Sequence, residues 1–180
     1  VESFLPTVNA AVEDRFNARI LGVWPAGPQV IFCAPEITGL QDLEGLKVRV
    51  GDQSAAAFVA QFGAVGIPMP FGEVQQSIAR GVVDCAITGP ASANSAGWPE
   101  VTTTVLPIAL QLAMNGYVIN LDTWNGLDTG QQEQLQAAMD VLTANIWEYS
   151  EELYQDALNC NTGQEPCEHG TPYNLTAAPV

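Results

Sequence analysis

Apolar and polar residues recur with two different periods along this chain, and the change of period marks its elements. Residues 46–50, LKVRV, form an apolar run of strand length. In SAAAFVAQF (54–62), Ala55, Phe58, Val59 and Phe62 fall at i, i+3, i+4 and i+7, the spacing of one helix face, and Gly63 suits its end. VGIPMP (65–70) is a short extended segment with two prolines. GEVQQSIAR (72–80) returns to the helical period through Val74 and Ile78 and is closed by Gly81. VVDCAIT (82–88) is again strand-like. This is β-α-β-α-β within 43 residues, a pattern that favours a parallel sheet with right-handed crossovers.

The flanking regions are less regular. Residues 3–16 suggest a helix with Pro6 near its start. ARILGVW (18–24) and QVIFCA (29–34) suggest two strands divided by the breaker PAGP, and 36–45 a connecting loop. After the regular section come a loop or short helix over 89–98, an extended stretch over 101–110, and a strand entering a turn over 115–124. A long helix follows over about 129–158, with Thr129 and Gln132 as a capping box. Its residues Leu135, Met139, Leu142, Ile146, Tyr149 and Leu153 form a continuous apolar seam that offers a dimer contact. The resulting domain division is a ligand-binding α/β lobe at 45–114, with 1–44 and 115–180 supplying hinge strands, the long helix and a remnant of another lobe.

Open parallel sheets bind ligands beyond the carboxyl ends of their strands. Arg49 lies at that end of one strand, and Thr88 and Gly89 just beyond it on another, so the topology gathers Arg49, Gly51, Thr88 and Gly89 on one rim. Charge makes Arg49 conspicuous: the chain has five Lys and Arg against twenty Asp and Glu, a formal net charge of −15. That balance excludes nucleic acid and anionic lipid as partners, since both want a basic surface. A guanidinium on a rim offers a planar fork for a carboxylate; the alternative is an ion pair with one of the many acids.

Other chemistry is weaker. Cys160, Cys167 and His169 match no common zinc spacing, so no metal is expected, and no cofactor motif is present. No nucleophile-base pair reaches the rim, which disfavours the alternative of a small α/β hydrolase or transferase. A non-catalytic interaction module is a further alternative, supported by the helix seam. Four cysteines allow three pairings. Cys160 and Cys167 flank a turn-rich loop, and Cys33 and Cys85 lie in strand-like runs, so bridges Cys33–Cys85 and Cys160–Cys167 are expected, with reduced buried thiols as the alternative. The opening VESFLPTVNA lacks the basic start and apolar core of a signal peptide, so the chain reads as mature or truncated.

DLEGLKVRV, FGAVGIPMPFGEVQQSIARGVVDCAITGP and GYVINLDTWNGL before a long helix together resemble the periplasmic solute-binding subunits of TRAP (tripartite ATP-independent periplasmic) transporters, from about residue 15 to 158. The resemblance implies a periplasmic-binding-protein-like lobe from a two-lobed, non-enzymatic protein. Such a protein captures a small organic acid, a mono- or dicarboxylate, and delivers it to a membrane permease. It places the family's carboxylate-holding arginine on Arg49 and polar contacts on Thr88, Gly89, Ser92 and Asn94. Trp24 and Asn115 correspond to hinge positions. The loop at 88–94 lacks the family's commoner Glu-Asn pair. VVDCAITG with CNTGQEPC resembles one subgroup in which both cysteine bridges are expected. Because members are considerably longer, the resemblance also implies an N-terminal portion of the same protein as a partner, and apolar surface where it packs.

Overall fold

The structure, a computed structural model, describes residues 4–179. In chain order its first elements are α1 (Leu5–Phe16), β1 (Ala18–Pro28), β2 (Val30–Cys33), β3 (Lys47–Val50), α2 (Gln53–Ala60), β4 (Val65–Pro68) and α3 (Val74–Ala79). They are followed by β5 (Cys85–Thr88), α4 (Pro90–Ser95), β6 (Thr104–Leu106), β7 (Leu112–Asn120), α5 (Leu121–Asn125), α6 (Thr129–Thr162) and β8 (Thr176–Ala177). The chain forms two compact units. The first consists of the residues up to Ala26 with Met114–Ser150; the second consists of Gly27–Ala113 with the residues from Glu151 onward.

The second unit holds a six-stranded sheet in the order β4-β3-β5-β2-β6-β8. β3 runs parallel to both neighbours, with Arg49 opposite Ile67 of β4 and Ala86 of β5. This is the expected βαβαβ section. β2 pairs antiparallel with β5 and β6, and β8 parallel with β6, so the whole sheet is mixed. β2 and β8 come from outside 45–114 and complete the sheet that this segment begins.

Alternation along the strands sends apolar side chains to both faces, as a sheet covered on both sides requires. Ile31, Cys33, Val48, Val50 and Ile87 pack with Leu43, Ala55 and Val59 on one face. Val30, Phe32 and Ala86 pack with Val74, Ile78, Ala93, Trp98 and Leu175 on the other. Cys33 lies directly opposite Cys85, and the two form a disulfide with Cα atoms 4.0 Å apart. Cys160–Cys167 is the second disulfide.

The first unit contains α1, most of β1 and β7, α5 and the first part of α6. Hydrogen bonds from side chains hold its backbone. Asn9 of α1 accepts from the Ile20 amide at 2.8 Å and donates to the Ile20 carbonyl at 3.0 Å. Gln136 and Trp147 of α6 donate to the carbonyls of Leu21 and Val23, each at 2.9 Å. Arg19 pairs with Glu13 at 2.8 Å and lies over the Trp124 ring. Gly22 sits directly against the Thr143 side chain, leaving no room for a Cβ.

Local differences from the sequence expectation have local causes. PAGP does not divide 18–34 where expected, because β1 continues to Pro28. A two-stranded ribbon leaves each strand one unpaired edge, where a residue without an N–H is tolerated. Residues 82–84 do not join β5: Val82 and Val83 both donate back to the Ser77 carbonyl in the turn that Gly81, at φ +69°, makes possible. At the start of α6 the reciprocal cap lies one residue earlier than expected. Asp128 accepts from the Gln131 amide at 2.9 Å, and the Gln131 side chain accepts from the Asp128 amide at 3.0 Å.

Candidate functional site

Three parallel strands, β4, β3 and β5, end on the same side of the second unit's sheet. Arg49 alternates with Val48 and Val50, whose side chains fill the opposite face. It is only 7% exposed. Its Nε donates to the Met69 carbonyl just past β4, and its Nη1 donates to the Ile87 carbonyl near the end of β5, both at 3.0 Å. Two main-chain carbonyls therefore clamp the guanidinium across the three strand ends. Phe71 and Trp98 flank it, with ring centroids 6.0 Å and 5.9 Å from Cζ and 5.2 Å from one another. These distances suit cation–π attraction.

Among the described residues no carboxylate lies within ion-pair distance of Arg49; Arg19–Glu13 is the ion pair they contain. The alternative of a structural ion pair therefore has no partner among them. Burial lowers the pKa of Arg49, but a guanidinium keeps its charge at neutral pH. Of its five N–H bonds, two are used, and Nη2 carries none of these contacts. A Cβ on Gly51 would stand 3.9 Å and 4.0 Å from Nη1 and Nη2, so glycine keeps that approach open. The site is cationic, walled by aromatics and short of acceptors. The Trp98 indole N–H is likewise buried without an acceptor among the described residues.

The other expected residues divide into groups. Thr88 is buried at the last position of β5, opposite Val30. Gly89 follows, its carbonyl accepting from the Ala93 amide at 3.0 Å as α4 begins. Ser92 lies on α4 and is half-buried. Asn94, also on α4, is buried, and its amide is engaged by the C-terminal segment: it donates to Asn161 Oδ1 and the Thr171 carbonyl, both at 2.8 Å, and accepts from the Thr171 amide at 2.9 Å. Trp24 and Asn115 belong to the first unit. Trp24 stacks obliquely on Tyr117 at 4.2 Å, and Asn115 is exposed on β7.

Asp84 stands just before β5, away from the rim, where its carboxylate accepts from the Lys47 amide at 2.8 Å. Cys160 and Cys167 are joined to one another, and no metal-binding cluster occurs among the described residues. Phe71 is the flanking residue that sequence reasoning missed. Its signal was weak: one aromatic at the end of the proline-containing extended segment, outside any regular period.

Residues 2–165 match the family model described as "Bacterial extracellular solute-binding protein, family 7". The ectoine-binding periplasmic protein TeaA of Halomonas elongata is 25% identical over 141 residues, covering 78% of this chain and 41% of TeaA. A TRAP periplasmic solute-binding protein from Sulfitobacter sp. NAS-14.1, solved with bound β-D-galacturonate, superposes with a TM-score of 0.80 at 25% identity; the match covers 95% of this chain and 56% of that one. The fold also matches DctP7, a Bordetella pertussis extracytoplasmic solute receptor binding pyroglutamic acid, with a TM-score of 0.82 at 18% identity over 97% of this chain and 56% of the other. The chain thus spans about half the length of these relatives. With the family model matching most of its length and its fold in agreement, this chain belongs to family 7 of the bacterial extracellular solute-binding proteins, the binding subunits of TRAP transporters.

Proposed function

We propose that this chain supplies the anion-holding lobe of a periplasmic solute-binding protein. In this reading the protein captures a small organic acid through Arg49 and delivers it to the membrane permease of a TRAP transporter. One observation carries the reading: a guanidinium 7% exposed, fixed by two carbonyls and lacking a carboxylate partner among the described residues. A buried charge without a counter-ion is costly, and an incoming carboxylate relieves that cost with charge-assisted, bidentate bonds.

Solved relatives of similar fold hold galacturonate, glucuronate, orotic acid, pyroglutamate and malate, each of which presents a carboxylate. Thr88, Gly89 and Ser92 follow the same strand ends and supply polar contacts to the rest of the ligand. Trp24 and Asn115 enter through the resemblance alone. The reading assigns the further length of the relatives to an N-terminal portion of the same protein, which packs on the first unit's exposed apolar residues.

The test is calorimetry on the full-length protein with uronates, pyroglutamate and malate. One or more should bind without turnover. Losing one partner of a desolvated charge pair costs on the order of 2–5 kcal/mol, so Arg49→Ala should weaken binding by roughly thirty-fold to a few thousand-fold. Arg49→Lys keeps the charge, loses the fork and should fall between. Equal affinity in Arg49→Ala, with the fold intact, refutes the assignment.

A further inference from the structure

The rim helix α4 does not stand alone. It begins right after Thr88 and Gly89, is only six residues long, and its place is fixed from the C-terminal segment. Asn161, fully buried in the last turn of α6, donates to the Pro90 carbonyl at 3.1 Å and accepts from Asn94 at 2.8 Å, so one side chain grips both ends of α4. Asn94 in turn pairs with both main-chain groups of Thr171, as a strand neighbour does.

Thr171 is itself delivered by a fixed loop. The Cys160–Cys167 disulfide closes the loop that leads into it. The buried Asp156 carboxylate accepts from the amides of Glu168 at 2.7 Å and His169 at 3.0 Å, and Asn159 donates to the Pro166 carbonyl at 3.0 Å. A Cβ on Gly170 would stand 2.9 Å from Asn94 Oδ1 and 3.1 Å from Cys160 Sγ, so the loop passes as close to Asn94 as a chain can. Beyond it the amides of Tyr173 and Leu175 return to the carbonyls of Cys160 and Asn161 at 2.7 Å and 2.9 Å.

We propose that Asn94 and Asn161 are positioning residues: they latch the rim helix to the disulfide-closed C-terminal loop, and this latch sets the affinity of the Arg49 site for its anion. The inference rests on the reading that this rim binds the ligand. It gives Asn94 a role through α4 and no direct hold on the ligand, because its amide is committed on both sides. Asn suits the position because it donates and accepts at once. An aspartate of the same size turns an acceptor toward the Thr171 carbonyl and toward Asn161 Oδ1.

The test has two arms on the full-length protein, each applied to Asn94→Asp, Asn161→Ala and the pair Cys160→Ser with Cys167→Ser. In the first arm, amide hydrogen exchange of the ligand-free protein follows Ala93, Ala96 and Gly97, whose amides bond within or just after α4. Their exchange should accelerate at least about tenfold, while β3 and β5 keep their protection. In the second, calorimetry with D-galacturonate and pyroglutamate as probes should show affinity lowered about tenfold, within the usual range of coupling between sites.

Unchanged protection of α4 in all three variants overturns the latch. Faster exchange with unchanged affinity overturns its link to binding. Faster exchange in a protein whose wild type binds neither probe supports the latch and counts against the proposed ligand class, so the two readings fail separately. The serine pair leaves both asparagines in place, so the test survives if one asparagine variant does not fold.

Discussion

The two units of this chain solve the problem of burial in opposite ways. In the second, β5, β2 and β6 of the central sheet carry apolar side chains on both faces and β3 on one, and helices or loops cover both faces. In the first, Leu21 and Trp124 are the buried hydrophobic side chains among the described residues, and α1 has no buried residue at all. Phe16, Val118 and Val141 of that unit are 73%, 62% and 63% exposed. Its backbone is nonetheless tied by well-placed side-chain bonds from Asn9, Gln136 and Trp147. Hydrogen bonds fix direction there, whereas apolar burial supplies stability in the other unit. A net hydrogen bond contributes about 1 kcal/mol, and burying one large apolar side chain contributes about 1.5–3 kcal/mol.

The largest effect expected from this contrast is at Trp98. It is fully buried, edge-on to Phe32 and stacked near Phe71. Trp98→Ala should cost about 3–5 kcal/mol, while Phe16→Ala, at an exposed aromatic, should stay within about 0.5 kcal/mol. Urea unfolding of both variants checks this. Comparable losses would show that the first unit has a core of its own. Next in size is the Cys33–Cys85 bridge, which closes a separation of 52 residues between two central strands. Replacing both with alanine should cost about 2–4 kcal/mol, read as a lower urea midpoint.

The sequence made the second unit far more legible than the first. The β3-α2-β4-α3-β5 order follows from period changes within a short stretch, and Arg49 follows from its place at a strand end. What was hidden depends on distant pairing. Nothing local says that β2 inserts antiparallel between β5 and β6, although a cysteine in each of the two apolar runs hinted that Cys33 meets Cys85. Asn94 reads as a polar loop residue because its partners, Asn161 and Thr171, lie 67 and 77 residues away. Phe71 and Trp98 are separated by α3, β5 and α4, so their shared place beside Arg49 was not visible. In the first unit the pattern marked elements but not their covering, since its apolar residues have few partners to reveal the register.

A smaller effect sharpens the comparison within the second unit. Asp52 caps α2, accepting from the Ser54 hydroxyl at 2.6 Å and the Ala55 amide at 2.9 Å, and also from Gln111 at 2.8 Å. These bonds, the Ser54 hydroxyl first, lower its pKa to about 2. Because the folded value lies below the unfolded value of about 3.9, the contribution is fully present above that pH and is lost as pH falls through about 2. Asp52→Ala should cost about 1 kcal/mol at neutral pH. The difference between wild type and variant should shrink on acidification toward pH 2. A gap that stays constant across that range would assign the loss to packing rather than to the charged cap.

The smallest effect on this chain tests what the exposed face is for. Val141 and Leu142 lie on α6 and Val118 on β7, all in the first unit and all exposed. Val118→Ser with Val141→Ser should change the stability of the isolated chain by less than about 0.5 kcal/mol, because exposed side chains lose little on becoming polar. In the full-length protein the same pair should cost several-fold more if the N-terminal portion covers them, at about 1.5–3 kcal/mol for each fully buried side chain. Urea unfolding of both lengths makes the comparison. Sedimentation of the isolated chain separates the other occupant: a dimer through α6 would weaken with the same substitutions and would make the wild-type chain's stability depend on its concentration. A cost equal in the two lengths, with no association in either, would mean that these apolar residues face solvent in the whole protein as well, and that the first unit needs no covering partner.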